Sequence, residues 1–379
     1  MIWKAGEEDM DLITGHSYSE DPFTIMNEAT SEFMGNPGTI LFFSPVSVFP
    51  VLNELLCERF PNTRIFGATT MYSFFENRRI APDVGTGTVI IGFGDSFECR
   101  GGVIEQIDIH PIEYAPTVKR SLEQIEEENT ICLSFTTAFF GAEELVLDTL
   151  ASVIGNRKIP VVGSSCGNLG DDRITYVSYN GEVYSSASLY IFIHNRRGKT
   201  VVLKQDMFEP KRTAFTATSV DLKKRIIYEL DGEPAALQLA KQLHYELYEL
   251  GDHLDDYALG RMVGEEIYST DIGKITKEKG LEVMAAVYGG TRLCLMERSR
   301  YNACLSDIVA SIRRQIPSPR FVLYINCTSL TKYYDKIKWL NVFSVGMGTI
   351  GPVFAGFSGY GEQLGRININ KTLLAIAFE

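Results

Sequence analysis

Gly163-Ser164-Ser165-Cys166-Gly167 sets two hydroxyls and a thiol between glycines at the end of an apolar run. It formally reads G-x-S-x-G, the setting of a serine nucleophile. That chemistry needs a strand, a sharp turn and then a helix. Residues 168–176 (NLGDDRITY) lead instead into a hairpin, so the elbow lacks its helix. Cys166 would be a reactive thiol only if exposed and held at a low pKa. The grouping recurs: Thr69-Thr70 closes IFGATT, Cys327-Thr328-Ser329 closes FVLYINCTS, and Ser358 lies in FAGFSGYGE. Small side chains let a ligand approach the backbone, and hydroxyls supply donors and acceptors without bulk. Thr69, Thr70, Ser164, Ser165, Cys166, Asn168, Cys327, Thr328, Ser329 and Ser358 are therefore candidate ligand contacts, because open α/β sheets bind ligands at strand carboxyl ends. The competing reading is a set of tight turns that require small residues.

Charged groups offer a second chemistry. Arg261 could fork onto a carboxylate, and Glu362, Asp171 and Asp172 could hold an ammonium, the two ends of an amino acid. Solvated turn charges are the alternative. Haem would need an axial ligand such as His16, His110, His194, His244 or His253 and a large apolar pocket. None of the five stands at a diagnostic spacing, and no Cys/His set of zinc type is present. The glycine-rich stretches 84–89 (VGTGTV) and 345–351 (VGMGTIG) complete neither a dinucleotide fingerprint nor a P-loop and read as turns. No catalytic and no metal-binding residue is assigned.

The elements that must position these groups repeat. Lead strands at 39–45, 130–137 and 321–329 each precede, after a spacer, a second strand ending in glycine and small polar residues (65–70, 160–166, 352–359). Each second strand is followed by a polar stretch and a further apolar strand. Helical spacing marks 48–59, 118–128, 142–154 and 303–315, and Ser19 or Asp21 caps a helix with Pro22 in its first turn. Asn180-Gly181 between alternating β-formers predicts a type I′ hairpin. Pro234 opens a helix through residue 250, and a polar helix is expected at 331–340. The texture turns more charged over 200–229, which reads as a passage between domains.

The chain has 379 residues, 45% apolar and 22% charged, enough for two domains and a sizeable core. Its net charge of -12, with no long Lys/Arg block, argues against nucleic-acid binding. Seven cysteines without CxxC spacing read as free thiols in a reducing compartment. No signal peptide and no apolar run of membrane-spanning length is visible, so a cytoplasmic protein without membrane insertion is expected.

The order S-P…RIFGATT, PVVGSSCGN…YNGEVYSSA, YELDGEPAA and FAGFSGYGE…NKTLLA resembles the FIST proteins, with LDGEPA (230–235) and 356–372 as the most specific parts. The resemblance covers nearly the whole chain. It implies an N-terminal FIST domain over 1–215 and a C-terminal one over 216–379. It also implies a sensory module that binds a small ligand, with amino acids the usual proposal. Signalling would pass to a separate protein such as a kinase or a cyclic-dinucleotide enzyme, because no output module is visible in the sequence. A haem-binding nitric oxide sensor acting on a kinase, a ligand-free interaction scaffold and a thiol or serine enzyme are the alternatives. The expected fold class is α/β with α+β character: mixed β-sheets flanked by helices, internally repeated strand-helix-strand-hairpin units and two domains. A four-layer arrangement with two sheets face to face is one way to pack them.

Overall fold

A computed structural model describes residues 12–77, 80–170, 172–351 and 353–379. Three units of the same order follow one another. The first comprises β1 (Leu12–Ser17), α1 (Pro22–Ala29), β2 (Thr39–Ser44), α2 (Phe49–Arg59), β3 (Arg64–Thr69), the antiparallel pair β4 (Ser73–Asn77) and β5 (Ile80–Gly85), and β6 (Thr88–Phe93). The second comprises β7 (Phe97–Glu105), α3 (Ala115–Leu122), β8 (Thr130–Thr136), α4 (Glu143–Ile154), β9 (Val161–Ser165), the hairpin β10 (Val177–Tyr179) and β11 (Glu182–Tyr184), and β12 (Ala187–Asn195). The third opens with β13 (Thr200–Asp206) and is then interrupted by an insert. The insert holds β14 (Phe208–Asp221), β15 (Ile226–Leu230), β16 (Glu233–Pro234), α5 (Ala235–Leu243), α6 (Leu247–His253), β17 (Tyr257–Val263), β18 (Glu266–Thr270), β19 (Ile272–Ile275), β20 (Leu281–Val283) and β21 (Arg292–Arg298). The unit resumes with α7 (Tyr301–Gln315), β22 (Phe321–Cys327), α8 (Thr328–Lys336), α9 (Leu340–Gly348), β23 (Phe354–Gly359), the pair β24 (Gly361–Leu364) and β25 (Ile367–Ile369), and β26 (Thr372–Phe378).

Each unit builds one six-stranded mixed sheet, but no unit completes its own. The orders are β1-β6-β2-β3-β10-β11, β7-β12-β8-β9-β24-β25 and β13-β26-β22-β23-β4-β5. The central pairs β2/β3, β8/β9 and β22/β23 are parallel. The last two strands of every sheet come from a different unit: β10–β11 extends the first sheet, β24–β25 the second and β4–β5 the third. The exchange is cyclic. The expected boundary at 215/216 falls inside β14, and strand pairing crosses it in two of the three sheets.

Side-chain alternation explains the packing. In β2, Leu41 and Phe43 point into a core shared by all three sheets, while Ile40 and Phe42 pack under α1 and α2. Strands buried on both faces read as unbroken apolar runs, which is what made the lead strands conspicuous. Phe43, Phe135 and Phe357, one from each sheet, meet at the centre of the shared core. Phe43 stacks on Phe357 at 4.5 Å, and Phe135 stands edge-on to both at 5.4 and 5.3 Å. Helices α3–α4 and α7–α9 cover the other two outer faces. The four-layer expectation is corrected accordingly: three sheets enclose one core, because the exchanged strand pairs tie them into a ring. The insert has its own core between α5–α6 and its sheet, including Phe215, Leu239, Leu250 and Leu295.

Local differences have local causes. The helix expected from Pro234 to residue 250 is two helices, because His244 turns left-handed at φ 59° and caps the first. The helix expected over 118–128 ends at Leu122. Residues 345–348, expected as a glycine-rich turn, are helical in α9, where burial of Phe343 and Met347 overrides the cost of glycine. Thr328 and Ser329 are not strand tips; they form the first turn of α8. Asp21 is the cap of α1, accepting from the Thr24 amide at 2.8 Å. No helix among the described residues is long and apolar enough to cross a membrane.

Candidate functional site

The strand ends singled out by sequence do converge. Register makes Gly67, Gly163 and Gly356 equivalent, opposite Phe42, Ser134 and Tyr324. Two residues further on stand Thr69, Ser165 and Ser358. Their carbonyls close a ring across the three units: Gly167 N–H donates to Thr69 at 2.8 Å, Tyr360 N–H to Ser165 at 3.2 Å, and Met71 N–H to Ser358 at 3.3 Å. The glycines are required by closeness. A Cβ on Gly167 would stand 2.6 Å from the Ser358 carbonyl oxygen, and one on Gly359 would stand 2.2 Å from that of Ser165.

The polar side chains of this junction are buried and, Thr328 apart, bonded to main-chain or side-chain groups of the protein. Thr69 Oγ1 accepts from the Tyr176 amide, and Thr70 Oγ1 donates to the Tyr72 carbonyl at 2.6 Å. Ser164 Oγ donates to the Gly361 carbonyl at 2.8 Å, and Ser358 Oγ pairs with Thr331 Oγ1 at 2.8 Å. Asn168 closes its own loop through Asp172 and Ile174. Ser165 Oγ donates to Glu143 Oε1 at 3.1 Å rather than to a histidine. Burial pushes the Cys166 thiol up to about 12, opposite to what a nucleophile needs. Cys327 pairs with Ser329 Oγ at 3.3 Å, and Thr328 is buried beside it with Oγ1 unpartnered. Asp171 lies outside the described residues.

Arg261 and Glu362 are also internal. Arg261 donates to the main-chain carbonyls of Tyr268, Ala286, Ser269 and Asn368, and burial lowers it to about 10. Glu362 is fully buried; its Oε2 accepts from the amide and hydroxyl of Thr372, while Oε1 has no partner. Burial raises its carboxyl from the usual 4.5 to about 8, outweighing the Thr372 hydrogen bonds that pull it down. The carboxyl is then protonated at neutral pH. A raised carboxyl stabilises the fold fully below its unfolded value, and that contribution is lost as pH rises through the folded value. Stability owed to this group therefore falls between about pH 4.5 and 8. Glu362→Gln is expected to flatten the pH dependence over that range and to be more stable than wild type above it. Denaturant titrations at a series of pH values check this, and a parallel pH slope in both proteins would contradict it.

The insert meets the third unit through an apolar seam, in which Phe208, Ala258, Cys294 and Met296 share a core with Cys304, Tyr324 and Leu373, and meets the rest of the chain through polar groups as well. Arg225, from the β14–β15 turn, reaches Glu143 Oε2 at 2.6 Å and Glu144 Oε2 at 2.7 Å on the first turn of α4. Glu144 Oε1 accepts from the Ala286 amide at 3.0 Å. On the other side Lys371, 2% exposed, pairs with Asp271 at 2.8 Å and donates to the Tyr257 carbonyl at 2.7 Å. Asn370 and Ser269 exchange main-chain and side-chain bonds.

Between the insert and the third unit lies an open cleft of about 660 Å³. The end of β13 contributes Lys204 and Asp206, the start of β14 Phe208 and Glu209, the β17–β18 turn and first residue of β18 Glu265 and Glu266, and the N-cap and first two turns of α7 Arg300, Cys304 and Asp307. Lys204 pairs with Asp206 at 2.9 Å and donates to the Ile267 carbonyl. Burial, then the nearby Glu266, raises the Asp206 carboxyl, against the pull of Lys204. Arg300 is the N-cap of the fifteen-residue α7, whose first turn has no side-chain cap and no acidic residue. The cleft thus sets Arg300 among carboxylates. Sequence reasoning placed none of these residues.

A family model described as FIST N domain matches residues 39–233, just over half of the chain. The chain belongs to the FIST family. FIST domains are sensory, small-ligand-binding signalling domains. No curated protein matches the chain. Among solved structures, the crystal structure of cyanuric acid hydrolase from A. caulinodans is similar at a TM-score of 0.39 and 8% identity, over 97% of this chain and 99% of that one. A likeness that remote says nothing about chemistry. In this FIST chain the LDGEPA segment is structural: Asp231 accepts from the Thr216 amide at 2.7 Å, and the turn delivers the chain into α5. The NKT segment supplies Asn370, Lys371 and Thr372, which bind the insert and Glu362. None of the five histidines lines the cleft. Among the described residues no group of three or more His, Cys, Asp or Glu could hold a metal ion.

Proposed function

We propose that this FIST protein senses an α-amino acid in the cleft between the insert and the third unit, and that the bound ligand draws the insert toward α7. The ligand carboxylate sits at Arg300, whose guanidinium favours an anion. The ammonium faces Asp206 and Glu266. The observation that carries the reading is the cleft itself: it is open and charged, while the strand-end junction is closed by main-chain bonds.

The insert has a core of its own, so it can shift against the third unit, and the apolar seam between them keeps that shift small. The ligand biases the insert only by its differential affinity for the closed arrangement. The changed surface is then read by a separate signalling protein, a kinase or a cyclic-dinucleotide enzyme. A thermal-shift screen with amino acids tests the site. Ligands that stabilise the wild type are expected to lose their effect in Arg300→Ala, with the unliganded melting point unchanged because Arg300 is exposed. An unaltered ligand shift in Arg300→Ala would remove this cleft as the site.

A further inference from the structure

We propose that the chain pairs with a second copy of itself through an apolar patch where the loops after β8 and β9 meet, a place that shares no residue with the cleft lining. Phe139 and Phe140 follow β8, and Leu169 and Ile174 follow β9; all four are between 39% and 55% exposed. Contacts between the loops make them one surface. The Phe139 ring lies 5.0 Å from that of Tyr360, and the Arg173 guanidinium stands 4.8 Å over Phe139. The Tyr360 hydroxyl donates to the Asn168 carbonyl at 2.6 Å, and the Ala138 amide donates to Thr175 Oγ1 at 2.9 Å. Phe139 has φ 77°, the left-handed region that a bulky side chain occupies only at a cost in conformational energy. Its neighbours fix that conformation, and it holds an aromatic ring at the surface. Clustered exposed apolar side chains of this kind mark interaction sites.

Charge decides what covers the patch. A net charge of -12 favours a basic partner in general and opposes a second copy. Neither effect acts at the patch centre, because 137–142 (TAFFGA), 166–170 (CGNLG) and 358–361 (SGYG) carry no charge. Beside it stand exposed charges of both signs, Asp172 and Arg173, preceded in sequence by Asp171. A surface carrying both signs complements itself. In a two-fold pair the interface is isologous, so Arg173 of each copy meets Asp172 of the other across the apolar centre. A guanidinium stacked on a ring keeps its edge donors for a carboxylate. Asp172 Oδ1 accepts from Asn168 Nδ2 at 3.0 Å, and a carboxylate has further acceptor positions.

Sedimentation velocity of the full chain from about 1 to 100 µM tests the pairing, the range in which a small interface dissociates. The wild type is expected to pass from monomer to dimer across that range. Phe140→Asp is expected to remain monomeric throughout with an unchanged melting point, because the ring is exposed. Arg173→Asp, which sets carboxylates against each other, is expected to weaken the dimer about tenfold or more. The exchanged pair Asp172→Arg/Arg173→Asp is expected to restore it. A wild type that stays monomeric at every concentration would overturn the proposal and leave the patch to a different protein. A dimer that survives Phe140→Asp would place the interface elsewhere, and an exchanged pair no tighter than Arg173→Asp would overturn the two-fold contact.

Discussion

Gly163→Ala is expected to abolish the folded chain. Gly163 sits in β9 directly opposite Ser134 of β8, and an added Cβ would lie 1.8 Å from the Ser134 carbonyl oxygen and 2.7 Å from its carbonyl carbon. Those are main-chain atoms of a neighbouring central strand, so no side-chain rotation relieves the clash. Ordinary overpacking in a core costs about 1–3 kcal/mol. Here the strand itself must move, and it carries Ser165, one member of the ring that joins the three units. Gly356 is bound in the same way, 2.2 Å from the Tyr324 carbonyl oxygen. Gly251→Ala is the matched control: it lies in α6 with nothing within 4 Å and is expected to gain up to about 1 kcal/mol from helix propensity. Soluble yield and near-UV circular dichroism decide the outcome. A cooperative melt for Gly163→Ala close to that of wild type would contradict the packing described here.

Arg225→Ala carries the second large effect. Its guanidinium is shared between Glu143 and Glu144, whose side chains are 6% and 17% exposed. Removing it leaves two nearly dry carboxylates facing each other. Breaking a buried ion pair from one side costs roughly 3–5 kcal/mol. The loss also releases the β14–β15 turn, because Arg225 additionally donates to the Met284 carbonyl at 2.8 Å. Chemical denaturation is expected to show the destabilisation, and hydrogen exchange is expected to quicken around residues 222–226 and 284–288 before the three-sheet core is affected. Destabilisation within experimental error of zero would show that solvent reaches these charges freely.

Much of the fold was legible because the repeat is written in local signals. Continuous apolar runs mark strands buried on both faces, and a glycine with small polar residues marks each strand end. The exchange of β4–β5, β10–β11 and β24–β25 between units left no such mark. A hairpin's sequence fixes its turn, as Asn180-Gly181 does, but not which sheet edge receives it. For the same reason Thr69, Ser165 and Ser358 were found as a set while their burial was not. The bonds that seal them are main-chain bonds between distant segments, invisible to residue type. Cleft residues such as Asp206, Glu266 and Arg300 come from separate elements and share no motif. Of the three, only Asp206 falls within the more charged texture over 200–229.

In the proposed reading, ligand binds in the insert cleft and not at the junction of the strand ends. Hydrogen–deuterium exchange of the full chain, with and without a saturating amino acid that raises its melting point, tests it most directly. Protection is expected over residues 204–210, 264–268 and 299–304, with exchange at 69–71, 165–168 and 358–360 unchanged. Protection centred on those three strand ends, with the cleft segments unaffected, would contradict the account.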